Sequence, residues 1–325
     1  MTYMPFTLTT RYIIKKGSYG INMEVNDAVH NGWDVFLRKI KVANETDAAH
    51  EIRLFFTQDF HIYGYEAGDT AIYEPVLNAI IHYKGKRYFM VGGDAGGKGF
   101  YQYAIGYKEV EGKDGTWRDA EDGELSSNAV AQGAVDSAVS FKLDIASHDY
   151  EVVHYWISCG RSLREAAFLD SKVKQTGVDQ MLLEVENYWS AWLNRLKIDL
   201  NILPREVSHL FKRSLLLMRA HADNRGGFLA SLDSDIMGIQ KDTYSYVWPR
   251  DGAMAALAFS NAGFTDVPAA FFGFCNQVIG DDSFFRHKYL PDGSIGSTWH
   301  ALVDSAGRLQ LPIQEDETAT VLYAL

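Results

Sequence analysis

The sequence predicts a multidomain β + α chain, an antiparallel β-sandwich followed by a run of helical hairpins. Three observations predict it. The chain has 325 residues, more than one compact core usually holds. Short β-rich runs separated by Gly/Asp turns continue to about residue 160, at the spacing of an antiparallel sandwich. Beyond that point apolar residues recur every three to four positions, the period of a helix.

The first strand signal is Val35–Val42, partly alternating and β-branched. Asn44-Glu45-Thr46-Asp47 follows as a turn, and Glu51–Phe56 resumes the strand pattern. Further runs lie at Ala79–His82, Tyr88–Val91, Val135–Leu143 and Val152–Ser158. Gly92–Gly99 comes close to a phosphate-binding loop, with Gly92, Gly97 and Lys98 correctly spaced. Gly99 stands where a hydroxyl would hold Mg²⁺, and Phe100–Tyr103 begins a strand rather than a helix, so a hairpin loop is expected. Arg161–Gln180 reads as the junction. Leu182, Val185, Trp189, Trp192 and Leu196 mark one face of a helix, and Leu210, Ser214, Leu217 and Met218 mark a second. Gly252–Asn261 and Ala269–Val278 read as two more. The expected domains are therefore a sandwich over 1–160, a linker with a helix over 161–200, and a helical domain over 201–325.

Composition removes several function classes. Net charge is −11, with no basic run beyond Lys15-Lys16, which argues against nucleic acid as a partner. No stretch approaches the roughly 18 apolar residues of a membrane span. Cys159 and Cys275 stand far apart, match no metal or redox spacing, and are expected to be buried thiols. The ten histidines show no His-Glu-x-x-His spacing; His30, His50, His61 and His82 read as structural or surface residues, and no metal or cofactor is expected. Met1–Phe6 has no charged or apolar leader, so a cytoplasmic protein is expected, and the Asn44-Glu45-Thr46 sequon is not expected to carry a glycan. Val321–Leu325 reads as a helix without a stop signal, so the natural chain is expected to continue.

Chemistry concentrates in Asp242–Gly252. Tyr244, Tyr246 and Trp248 alternate on one side of an extended stretch, and Arg250-Asp251 then precedes a helix. A sugar ring offers an apolar face of C–H groups and a rim of hydroxyls. An aromatic ring can cover the face while Arg and Asp bond adjacent hydroxyls. Residue chemistry alone equally allows an aromatic cluster with an Arg-Asp pair at the start of the next helix. Aromatic residues make up 13% of the chain, a level that either carbohydrate handling or a large core explains.

Tyr-x-Tyr-x-Trp-x-Arg-Asp before a helix resembles the first substrate-binding segment of family 15 glycoside hydrolases, the glucoamylase, glucodextranase and archaeal trehalase group. Gly227–Asp233 agrees with it upstream. Gly115–Gly123, with Ala131-Gln132-Gly133, resembles the β-domain of prokaryotic members, and Leu311–Thr318 resembles the family's Gln-x-Asp segment. The resemblance runs from about residue 20 to Leu325. It implies a β-supersandwich, incomplete at its start, followed by the first half of an (α/α)6 barrel.

The resemblance further implies an exo-acting, inverting α-glucosidase that releases glucose from non-reducing ends of α-glucans. Inversion needs one carboxylic acid and one carboxylate set apart to admit water. In the family both follow the Gln-x-Asp helix, so they are expected beyond Leu325; no Trp-Glu pair occurs in this sequence, and the isolated chain is expected to be inactive and poorly soluble. By residue-for-residue match, Tyr246, Trp248, Arg250 and Asp251 hold the terminal sugar, with Gln314 and Asp316 beside them. Glu315 and Glu317 lie near but are not taken as the catalytic pair. The alternatives are a trehalase of the same family and a non-catalytic carbohydrate-binding relic.

Overall fold

A computed structural model describes residues 2–325 except Gly17, Ser18, Glu66, Glu111, 233–242, Trp299, His300 and Leu302. Asp233 and Asp242, both within the sequence motifs above, lie outside the described residues. The chain divides into two compact units, Met1–Tyr188 and Trp189–Leu325.

The first unit holds a nine-stranded antiparallel sheet and a three-stranded one. The large sheet comprises β1 (Thr2–Tyr3), β2 (Thr10–Lys16), β3 (Ile21–Val29), β4 (Val35–Asn44), β6 (Asp69–Glu74), β7 (Ala79–Lys84), β8 (Arg87–Ala95), β10 (Val130–Gly133) and β12 (Tyr150–Gly160). Its order is β1-β2-β3-β4-β12-β8-β7-β6-β10. The small sheet places β11 (Val135–Ile145) between β5 (His50–Gln58) and β9 (Gln102–Tyr107). One hydrophobic cluster joins them, with Val25, Ile40, Val42 and Val153 from the large sheet and Phe56, Val139, Phe141 and Leu143 from the small one. Alternation along each strand sends these residues inward.

All six strand runs read from the sequence lie inside strands. The Gly92–Gly99 reading needs correction. Gly92 and Gly93 belong to β8, and the turn begins only after Ala95. A Cβ on Gly92 would lie 2.5 Å from the Trp156 ring of β12, and one on Gly93 2.3 Å from Phe141. Both glycines let aromatic rings lie against the strand, which explains a Gly pair inside a sheet. Asn44 is buried and donates through Nδ2 to the carbonyls of Ala48 (2.7 Å) and Ala146 (2.9 Å). A glycan could not be attached there without breaking this turn.

Arg161–Gln180, read as the junction, is mostly helix. Leu163–Thr176 is capped by Ser162, whose hydroxyl accepts from the Glu165 amide at 3.2 Å, while Glu165 accepts from the Arg161 amide at 2.8 Å. This helix packs Ala166 against Ala79, Ile81 and Met90. Its buried Asp170 accepts from Trp156 Nε1 at 2.8 Å and pairs with Lys174 at 2.7 Å. The next helix, Val178–Leu193, buries Val185, Trp189 and Trp192 on the expected face, and the break between units falls within it.

The described residues of the second unit form helices at Arg205–His221, Pro249–Asn261, Asp266–Val278 and Glu315–Ala324. The core is aromatic: Trp192 stacks on Phe264 at 4.3 Å, and Phe228 meets Phe259 and Phe271 at 5.9 and 5.6 Å. In Arg205–His221 the expected stripe is not the buried one. Leu215 and Leu216 are buried, whereas Leu210 is 67% exposed and Ser214 and Leu217 are also exposed. Leu215–Met218 covers more than half the circumference of the helix, so spacing alone fits two faces.

Candidate functional site

Three extended segments and two helix starts build the candidate site. Val247 exchanges backbone hydrogen bonds with Tyr289, at 2.8 and 2.9 Å, and Ala230 donates to the Tyr246 carbonyl at 3.0 Å. This narrow ribbon faces Tyr246 and Trp248 the same way. Their rings meet edge to face at 5.8 Å, and Tyr244 stacks on Trp248 at 6.2 Å. Tyr246 is buried, Trp248 half-buried and Tyr244 exposed.

His287 and Lys288 complete this wall, although the sequence reading passed over them. Trp248 Nε1 donates to His287 Nε2 at 3.0 Å, which fixes the indole plane. Lys288 Nζ lies 4.2 Å from the centre of the Tyr246 ring and 5.2 Å from that of Trp248. Burial first, then Lys288 and Arg250, holds the His287 imidazole below its ordinary pKa, so it stays neutral and can accept. The usable signal is the alternation of buried Phe285, His287 and Tyr289 along an extended run.

Pro249 starts the following helix, where its missing N–H loses nothing. Arg250 sits one residue on and gathers the remaining candidates. Its Nη1 donates to Asp316 at 2.9 Å and to Gln314 at 3.3 Å, and its Nε donates to Asp251 at 3.2 Å. The guanidinium is held charged above all by Asp316. Thus Arg250, Asp251, Gln314 and Asp316 come together, across 64 residues or more for the last two, and the ring pair leads directly into Arg250. Trp248 and Asp251 also line a 300 Å³ cavity with Met218, His221 and Phe228. The misread face of Arg205–His221 therefore borders this cavity through Leu217 and Met218.

Glu317 has a structural role that its position in the first turn of a helix does not announce. It is fully buried and accepts from the Arg250 backbone N–H at 2.5 Å, with Oε1 3.8 Å from Arg250 Nη1. Trp248, the residue before the helix, supplies no side-chain cap. Glu317, from a different helix, occupies that place. Burial raises its carboxyl pKa to about 7, with the Arg250 amide and guanidinium opposing. Glu315 is exposed.

With this geometry in place, comparison with known proteins is informative. No protein-family model matches the chain. An uncharacterized glycosyl hydrolase of Methanocaldococcus jannaschii is 23% identical over 317 residues, which span 94% of this chain and 46% of that protein. The crystal structure of a bacterial glucoamylase complexed with acarbose superposes with a TM-score of 0.72 at 17% identity, over 90% of this chain and 43% of the other. A kojibiose phosphorylase assigned from the human microbiome gives 0.54 at 9% identity, over 97% and 40%. The fold is glycoside-hydrolase-related. The chain spans less than half the length of each of these proteins.

Proposed function

We propose that this chain forms the sugar-binding part of an exo-acting, inverting α-glucosidase of the glucoamylase type, family 15, which releases glucose from the non-reducing ends of α-glucans. The same reading makes residues 1–160 a β-supersandwich, 161–200 a connecting segment and 201–325 the first half of an (α/α)6 barrel. One observation carries the proposal. The Arg250 guanidinium joins Asp251, Asp316 and Gln314 immediately beside the Tyr246–Trp248 ring pair and a cavity bordered by Trp248 and Asp251.

In this reading the Trp248 ring covers the C–H face of the terminal glucose. Arg250, whose Nη2 makes none of the contacts above, donates to a ring hydroxyl, and Asp251 accepts from the neighbouring one. Asp316 and Gln314 hold the guanidinium in place and offer further acceptors. The general acid and base of an inverting reaction are assigned to no residue of this chain. The bacterial glucoamylase with acarbose and the Methanocaldococcus glycosyl hydrolase support the class of reaction.

The test is NMR of the first product formed by the complete gene product from maltotriose. β-Glucose appearing before its α anomer, independent of phosphate, is expected, with Trp248→Ala removing the activity. Glucose 1-phosphate formed only with phosphate would replace hydrolysis by phosphorolysis. Turnover of trehalose but not maltotriose would select a trehalase, and maltose binding without turnover a binding protein.

A further inference from the structure

The motif Gly115–Asp119 has no part in the site above, and it builds a cleft of its own. The 450 Å³ cleft lies within the first unit, between β9 and the loop that follows it, and is lined by Tyr107, Lys113, Asp114, Asp119, Ser126 and Asn128. Gly115 shapes its floor at φ +138, where a Cβ would lie 2.7 Å from Asp136 Oδ2 and 2.9 Å from the Trp117 ring. Asp136 is buried and accepts from the Thr116 amide at 2.7 Å, which pins the loop to β11. Tyr107 lines the cleft and is 41% exposed; Trp117, 44% exposed, adjoins Gly115 beside it and has Arg118 4.3 Å from the centre of its ring.

The hydrogen-bonding inventory selects the ligand. Asp119 accepts from the Ser126 amide through Oδ2 at 2.7 Å, which leaves Oδ1. Asp114 takes Arg118 on Oδ2 at 3.0 Å, which leaves its other oxygen. Asn128 spends its amide N–H groups on the carbonyls of Ile105 and Val130, so its oxygen remains as an acceptor. Open acceptors thus stand beside the Lys113 ammonium, so a ligand must both donate and accept. An anion is disfavoured, because the open oxygens of Asp114 and Asp119 repel it, Lys113 lies 5.2 Å from the centre of the Tyr107 ring, and Arg118 is already committed to Asp114 and Glu121, at 3.0 and 2.9 Å. A metal ion needs more ligands than Asp114 and Asp119, and among the described residues no group of three His, Cys, Asp or Glu could hold one. A neutral polyol with an apolar face satisfies both the acceptors and the exposed rings.

We propose that this cleft is a second carbohydrate site, which holds a short stretch of α-glucan on the β-unit. The choice of a glucan rests on the proposed function; the preference for a neutral sugar rests on the cleft alone. The test is calorimetric titration of the full protein and its variants with maltotriose. In Trp248→Ala a residual site with a dissociation constant of about 1 mM is expected. Adding Tyr107→Ala and Trp117→Ala should weaken it by about tenfold. Both rings are exposed, so folding should survive, and unchanged thermal melting checks this. Amide shifts at 113–119 and 126–128 on titrating Trp248→Ala give an independent readout. No residual binding in Trp248→Ala, or residual binding that survives the two aromatic substitutions, would overturn the cleft. Binding that Trp248→Ala leaves untouched and the aromatic substitutions abolish would keep the cleft and overturn the Trp248 site instead.

Discussion

Replacing Glu317 by glutamine will flatten the pH dependence of stability in the helical unit. Glu317 is fully buried, and burial lifts its carboxyl pKa from 4.5 to about 7 despite the neighbouring Arg250. The native state therefore holds this proton more tightly than the unfolded chain does. Stability from this residue is complete below pH 4.5 and declines as the pH rises through about 7. That difference in pKa corresponds to about 3 kcal/mol. Glutamine keeps an oxygen that can accept from the Arg250 N–H and removes the charge, so the variant does not lose this amount at pH 8. Urea unfolding of both proteins at pH 5 and pH 8 measures it. The two should agree within about 1 kcal/mol at pH 5 and diverge at pH 8, with the variant more stable. Parallel curves for the two proteins would refute the assignment of a buried, proton-holding carboxyl.

Four further outcomes follow from the same structure. His287→Leu removes the acceptor of the Trp248 indole and should weaken maltose binding by about fivefold to tenfold, whereas His287→Gln keeps an acceptor and should lose less; equal losses would deny the positioning role. Because the His287 pKa is held below 6.5, the folded imidazole refuses a proton that the unfolded one takes, so wild-type binding and stability should fall as the pH drops below 6.5, and the Gln variant should lack that decline. Gly92→Ala drives a Cβ to 2.5 Å from Trp156 and should destabilise the β-unit by about 2 kcal/mol, measured by thermal unfolding. Burial raises the thiols of Cys159 and Cys275 to about 11 and about 12, so iodoacetamide should label neither at pH 7.5 until the protein is unfolded.

The strands most legible in the sequence are those buried on both faces or strictly alternating. Ala79–His82 is wholly buried and its apolar run gives way only at His82, whereas Val135–Leu143, almost wholly buried too, carries Asp136, Ser137, Ser140 and Lys142 among its apolar residues. Thr10–Lys16 lacks such alternation and leaves Ile13 and Ile14 side by side and exposed, whereas Ile21–Val29 alternates over Ile21–Asn26 and carries a strand signal that the sequence reading passed over. The aromatic stripe of the candidate site was visible as a period of two, and Arg250-Asp251 as an ion pair before a helix. Its union with Gln314 and Asp316 spans 64 residues or more, and only the family resemblance suggested it. Glu317 eluded both routes, since nothing in the spacing of three acidic residues tells which one turns inward to cap another helix.

The nine-stranded sheet stops on β1 and β10, strands of two and four residues. So large a sheet would ordinarily present long rows of unpaired amides and carbonyls, which template the growth of aggregates. Here β10 offers only a four-residue border, and most of β2 that β1 leaves uncovered carries Lys15, whose charge opposes stacking of like edges. Strand-by-strand recruitment of a second copy has little to build on at either border, so the larger sheet carries its own protection against amyloid-like polymerisation.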